Sequence, residues 1–337
     1  MARGLTSKTV VWVSLAADAL VAAVKIAASL FTGSASMAAE GVHSVVDVGS
    51  GGLMLYGYRR SQLSPDRRHP LGYGRELYFW SFVVALLFFT LGAGFSIFEG
   101  VQRMLNPSVV RSPLVIYLVL AADALFEGTS WIVALKGFQA AKGDLGYWEA
   151  MKASKDPPGF IVLAEDTAGL AGVAVAAAGT FIATQLGVRA ADGVGSALVG
   201  LILAAVGWIL VRESKGLLIG EQADRDLSSS IIALSEAQDG IEGANGVLAT
   251  HLAPDQVVAA VSLEFADELH TPEIERAVQE VEARIRRRHP EVVALFVKPQ
   301  SRKGFTEAIR AGRGGLAFTV AGAEHGSRAG GGPTNSE

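Results

Sequence analysis

The stretch Met37-Ala-Ala-Glu40-Gly-Val-His43-Ser-Val-Val-Asp47 decides how this chain is read. It opens an apolar run that continues to Tyr58, so three ionisable residues ride on a helix otherwise suited to lipid. His43 and Asp47 are four residues apart and Glu40 lies three before His43, which puts all three on one helical face. Exposing such groups to hydrocarbon costs several kcal/mol, so that face must turn into a bundle and meet a cation there. An imidazole beside a carboxylate is ligand chemistry for zinc and its neighbours. The other reading is a hydrogen-bonded polar cluster that only holds helices together.

Working outward, five further apolar runs accompany the one at Met37–Tyr58: Thr9–Phe31, Leu77–Phe98, Pro113–Phe138, Phe160–Leu186 and Val194–Val211. Each is long enough to cross a bilayer as a helix, which needs about 20 residues. Half of the 337 residues are hydrophobic and only 18% are charged, with a mean hydropathy of +0.36. That is too apolar for a soluble surface, and lipid is the expected partner. The net charge of -4 leaves no basic footprint for nucleic acid. The absence of cysteine removes thiolate sites, so any metal must be held by nitrogen and oxygen. Basic residues gather near the amino terminus (Arg3, Lys8), after the second run (Arg59, Arg60, Arg67, Arg68, Arg75), after the fourth (Lys136, Lys142) and after the sixth (Arg212, Lys215). The positive-inside rule then places both termini in the cytoplasm. No removable signal peptide is read in Met1–Lys8, and the Gly169, Gly172, Gly179 and Gly193, Gly195, Gly200 sets are read as helix-packing positions.

From Asp224 the pattern changes. A helix near Leu227–Ala237, strands near Gly246–Leu252 and Val257–Phe265, a second helix capped by Thr271 with Pro272 in its first turn, and a strand at Val292–Val297 follow in order. An αββαβ order implies a small two-layer α+β domain. The expected architecture is thus an all-α six-helix transmembrane bundle (1–220), a small cytoplasmic α+β domain (221–300), and a largely disordered tail (301–337).

In the fifth run, Glu165-Asp166 interrupts an apolar setting, and two adjacent acids there demand a partner. Neighbours on a helix differ by about 100°, so one should face the second-run site and the other line the pathway. Asp18, Asp123 and Glu127 are further acids within the runs and could instead be structural, paired with Lys25 or with backbone.

Met37–Asp47, then Pro65-Asp-Arg-Arg-His-Pro-Leu-Gly-Tyr-Gly-Arg-Glu-Leu-Tyr-Phe-Trp80, then Glu165-Asp-Thr-Ala-Gly-Leu-Ala-Gly172 together resemble the cation diffusion facilitator family, from about Ser7 to Pro299. The resemblance implies six spans followed by a ferredoxin-like cytoplasmic domain, a homodimer, and zinc or a related ion exported in exchange for protons. It implies an intramembrane site of His43 and Asp47 on the second span and Asp166 on the fifth. Val162 stands where the family pattern has another histidine, so Glu165, Glu40 or water would complete the set. That departure is similar to the branch carrying a Glu-Asp pair on the fifth span. A second family site in the loop after span two matches Asp66 and His69, with Tyr73 in place of a further histidine; a turn shaped by Asp66 is the alternative. Arg75 matches an interdomain interlock, with Glu221 or Asp224 as its acid. In the cytoplasmic domain the family's metal positions fall on Ser262, Phe296 and Lys298, which cannot make that site, while His251 and His270 read as surface residues.

The expectation is a secondary active transporter, not an enzyme, for Zn2+ with Mn2+, Fe2+ or Co2+ as alternatives, and without organic cofactor. Neutral imidazole alone binds metal, so protons and metal compete for His43. The rival readings are a membrane metalloenzyme and a non-transporting metal-binding scaffold or sensor. Composition leans toward a bacterial plasma membrane.

Overall fold

A computed structural model describes residues 7–107, 109–110, 112–153, 157–311 and 319–320. The chain divides into two compact units, Met1–Ile219 and Gly220–Glu337.

The first unit is helical: α1 (Ser7–Thr32), α2 (Ala35–Ser61), α3 (Glu76–Leu87) running through a π-helical turn (Phe88–Ala93) into α4 (Gly94–Leu105), α5 (Pro113–Lys142), a short α6 (Tyr147–Ala153), α7 (Pro157–Gln185) and α8 (Ala190–Ile219). Among the described residues four helices are long and apolar enough to cross a membrane: Glu76–Leu105, Pro113–Ala140, Phe160–Gln185 and Ala190–Ile219. These coincide with the third to sixth apolar runs. α2 is long but diluted by Glu40, His43, Asp47, Arg59 and Arg60, and the side chains of α1 are described only from Asp18 onward. Six expected spans therefore meet six long helical stretches, four of which satisfy length and apolarity together.

Local chemistry sets the breaks. Gly33 takes φ of 68° between α1 and α2, a conformation that glycine reaches without strain. Ser34 then caps α2 by accepting from the Met37 amide. Asp192, in the first turn of α8, reaches across to the same end: its carboxylate accepts from the hydroxyls of Ser34 and Ser36, each at 2.6 Å, and from the Ala35 amide. A buried carboxylate at a helix amino terminus satisfies otherwise orphaned donors and suits the helix dipole. α8 packs through a stripe of small residues. A Cβ added at Gly193, Gly200 or Gly207 would lie 2.8 Å from the Gly100 carbonyl oxygen, 2.6 Å from the Ile97 side chain and 2.9 Å from Phe89. Close packing is therefore the role of Gly193 and Gly200, and Gly179 and Gly195 likewise bring α7 against α8.

The second unit runs α9 (Arg225–Glu236), β1 (Ile241–Ala253), β2 (Gln256–Phe265), α10 (Thr271–Arg288), β3 (Val292–Pro299), α11 (Arg302–Arg310) and β4 (Thr319–Val320). The expected αββαβ order is present, and the sheet order is β3-β2-β1-β4. β1 and β2 form an antiparallel hairpin closed at Ala253 and Gln256, whereas β3 runs parallel to β2 after the α10 crossover. Leu227 and Ile231 of α9, Val281 and Ile285 of α10, and Val247, Val261 and Leu263 of the sheet form one apolar core.

Three details differ from the sequence reading. The cap of α10 is His270 rather than Thr271, because the Glu273 side chain reaches back 2.8 Å to accept the His270 amide and starts the helix one residue earlier. The segment after Gln300 carries α11, capped by Ser301 and anchored by buried Phe305, and a short β4 that extends the sheet beside β1. Residues 312–318 and 321–337 lie outside the described residues, and with them the end of the expected disordered tail. His251 is 9% exposed on β1 rather than on the surface.

Candidate metal centre

α2 carries His43 and Asp47 one turn apart, with His43 Nε2 3.6 Å from Asp47 Oδ2. The imidazole is 1% exposed, and Phe88 of the π-helical turn packs edge-on against it at 5.5 Å. π-helical turns recur at functional sites because they re-aim side chains. His43 Nδ1 and Asp47 Oδ1 are buried without a hydrogen-bond partner among the described residues. Both line a cavity of about 270 Å³ whose wall also includes Glu165, Asp166, Val162, Ser130, Glu127 and Asp18.

The cavity brings together most of the residues singled out in the sequence. Glu165 and Asp166 both reach it from α7. Asp166 Oδ2 accepts a hydrogen bond of 2.8 Å from Ser130 Oγ on α5, while Glu165, 9% exposed, leaves Oε1 unpartnered. The tightest group of possible ligands is His43, Asp47 and Glu127, whose ligand atoms lie within 4.8 Å of one another. Asp166 lines the same cavity outside that compact group. The signal of Glu127 is present in the sequence: Asp123, Glu127 and Ser130 recur at helical spacing along one face of α5.

Glu40 does not line this cavity. It is fully buried, with Oε2 3.3 Å from Lys25 Nζ. The same ammonium contacts Asp123 and lies 3.6 Å from Glu127 Oε1. Asp123 and Glu127 thus contact Lys25 and also line the cavity, as does half-buried Asp18.

The loop residues Asp66 and His69 stand apart, in an exposed segment. Asp66 Oδ1 accepts from the Arg68 and His69 amides at 2.8 and 2.6 Å, and Oδ2 accepts from the Tyr73 hydroxyl at 2.7 Å. The Tyr73 hydrogen bond first, then the His69 amide, hold the Asp66 carboxyl below its usual range, and the same bond pushes the Tyr73 phenol up. Both carboxylate oxygens are thereby engaged in shaping a turn. Arg75 is exposed at the amino end of α3. Glu221 belongs to the second unit, where its carbonyl accepts from the His251 amide. In the second unit, Ser262 is buried and hydrogen-bonded to Asn245, Phe296 is 58% exposed and Lys298 is exposed.

Long apolar helices surround a cavity lined by one buried imidazole and several carboxylates, a donor set that suits a cation within a membrane protein. Residues 11–219 match the cation efflux transmembrane domain. The chain belongs to the cation diffusion facilitator family. Among its relatives, the mouse "Proton-coupled zinc antiporter SLC30A9, mitochondrial" is 31% identical over 259 residues, covering 76% of this chain and 46% of that protein. "Metal tolerance protein C4" of Arabidopsis thaliana is 33% identical over 196 residues, 58% of this chain and 43% of that one. "Magnetosome protein MamM" of Magnetospirillum gryphiswaldense is 30% identical over 112 residues, 33% of this chain and 35% of that one. The chain spans about half the length of the first of these relatives.

Proposed function

We propose that this chain moves a divalent transition-metal ion, zinc first, across a membrane in exchange for protons. The observation that carries the proposal is the cavity in which His43, Asp47 and Asp166 meet, with Glu165 beside them. His43 binds metal only as neutral imidazole, so ion and proton exclude each other at one nitrogen. On the cytoplasmic side the deprotonated site takes the ion, and on the far side protons displace it. Rocking of helices around a fixed midplane site supplies alternating access. The name of the mouse relative, a proton-coupled zinc antiporter, supports this reading at 31% identity.

In the same proposal all six long helical stretches cross the bilayer, and both termini are cytoplasmic. The second unit is a ferredoxin-like domain that serves a homodimer, and the host is a bacterial plasma membrane. Asp66 and His69 shape the loop rather than hold metal, in line with the full engagement of the Asp66 oxygens.

A second reading concerns the ion. Val162 leaves α7 without a histidine, so the cavity offers one nitrogen among many carboxylate oxygens. Harder ligands suit manganese and, less strongly, iron or cobalt. Uptake of zinc, manganese, iron and cobalt into proteoliposomes under an imposed pH gradient decides between them. The expected result is accumulation of zinc above the others, dependent on the gradient and lost in Asp166→Ala. Accumulation of manganese instead would move the preference to the second reading, and no movement of any ion would leave a metal-binding scaffold or sensor.

A further inference from the structure

Glu127 holds a position that its pairing with Lys25 does not account for. Its Oε1 lies 3.6 Å from Lys25 Nζ on α1, a loose contact for an ion pair, while Oε2 is buried without a partner among the described residues. Lys25 is already held more closely by Glu40 and Asp123, so one ammonium faces three carboxylates. The third carboxyl, Glu127, groups with His43, which is 1% exposed and whose Nδ1 also lacks a partner among the described residues. Two buried, unpartnered polar atoms on residues that line one cavity are costly unless a ligand completes them, and a cation suits the carboxylate and imidazole together.

The neighbouring backbone is shaped to admit the Glu127 side chain. Gly169 on α7 lies against it, and a Cβ added there would overlap the Glu127 carboxylate. Any other residue at position 169 would fill the space this group occupies. His43, Asp47 and Glu127 bring their ligand atoms within 4.8 Å of one another. Ligands about 2 Å from a zinc ion sit roughly 3.3 Å apart, so side-chain adjustment alone closes the group.

We infer that Glu127 is a bridging ligand, binding the transported ion through one carboxylate oxygen while the other stays anchored to Lys25. The inference rests on the reading that His43 and Asp47 hold that ion. It makes the site a three-helix one in which α5 contributes a ligand as well as α2 and α7. Ion occupancy then ties α5 to α2, and through Lys25 both are tied to α1.

The test uses the full chain in detergent with Co2+ as a spectroscopic probe, followed by competition with Zn2+. Glu127→Gln keeps the shape and removes the charge. It is expected to weaken ion binding by at least about tenfold, since even the loss of an outer hydrogen-bonding partner costs that much. It is also expected to change the position and intensity of the Co2+ d–d bands. Glu149→Gln removes an exposed charge on α6 that does not line the cavity, and is expected to bind within about twofold of wild type with unchanged bands. Gly169→Ala keeps every charge but displaces the carboxylate, and is expected to reproduce the spectral change if Glu127→Gln does not fold. A wild-type spectrum for Glu127→Gln or for Gly169→Ala overturns the inference and leaves the His43–Asp47 reading standing. Equal weakening by Glu127→Gln and Glu149→Gln with unchanged bands reveals only a long-range field and also overturns it. Failure of wild type to bind either ion would remove both readings together.

Discussion

His43 is buried between Phe88 and a cavity, with one ring nitrogen unpartnered among the described residues and the other 3.6 Å from a carboxylate. A structural histidine in such a place normally satisfies both nitrogens, because an unpaired buried polar atom costs about 1–3 kcal/mol. Lys25 is the opposite case, a cation wholly enclosed and surrounded by acids. Replacing it by methionine leaves Glu40 and Asp123 buried without their cation. Lys25→Met is expected to destabilise the protein by about 3–5 kcal/mol, read as an earlier thermal transition in detergent. A melting temperature equal to wild type would show that the acids do not depend on it. In the exposed loop, Tyr73 and two amides keep the Asp66 carboxyl below its ordinary range. A lowered value means that its contribution is complete above the unfolded pKa and lost only as pH falls through the folded one, so Asp66 stays ionised at neutral pH. Asp66→Asn removes this hub, and limited trypsin digestion after Arg67 and Arg68 should speed up several-fold. Unchanged cleavage would mean that the turn holds without it.

At the scale of elements, α8 is the helix against which others close. Gly200 faces Ile97 and the Ala93 carbonyl across a gap with no room for a side chain. Gly200→Leu is expected to cost at least about 1–3 kcal/mol, the usual penalty of overpacking, and to lower the yield of folded protein in size-exclusion profiles; an unaltered profile and melting curve would contradict the close packing. Helix existence was legible because apolar runs of span length have few alternative structures, and the αββαβ order was legible from the change of period at Asp224. The π-helical turn at Phe88–Ala93 was not, since Phe-Phe-Thr-Leu-Gly-Ala carries no local signal that separates it from α-helix. α11 was hidden by Gly- and Ser-rich surroundings, although Phe305 is the apolar anchor that holds it. In the site, His43 and Asp47 were readable because both lie on one helix. The approach of Glu127 was not, because it depends on how α5 packs against α7, and sequence spacing does not report on contacts between helices.

At the scale of the molecule, the boundary at Ile219 and Gly220 separates a lipid-facing helical unit from one with its own apolar core. That core joins α9, α10 and the sheet, so residues 220–337 expressed alone are expected to be soluble and to unfold in one cooperative urea transition; aggregation or a non-cooperative profile would show that the unit depends on the helices. For the whole chain, the claim that matters is that an ion passes through the cavity at His43. The direct measurement is the initial rate of zinc entry into proteoliposomes under a pH gradient, comparing wild type with His43→Ala. The account predicts a gradient-dependent flux in wild type and a rate at the level of protein-free vesicles in the variant. Equal rates in the two proteins would contradict it.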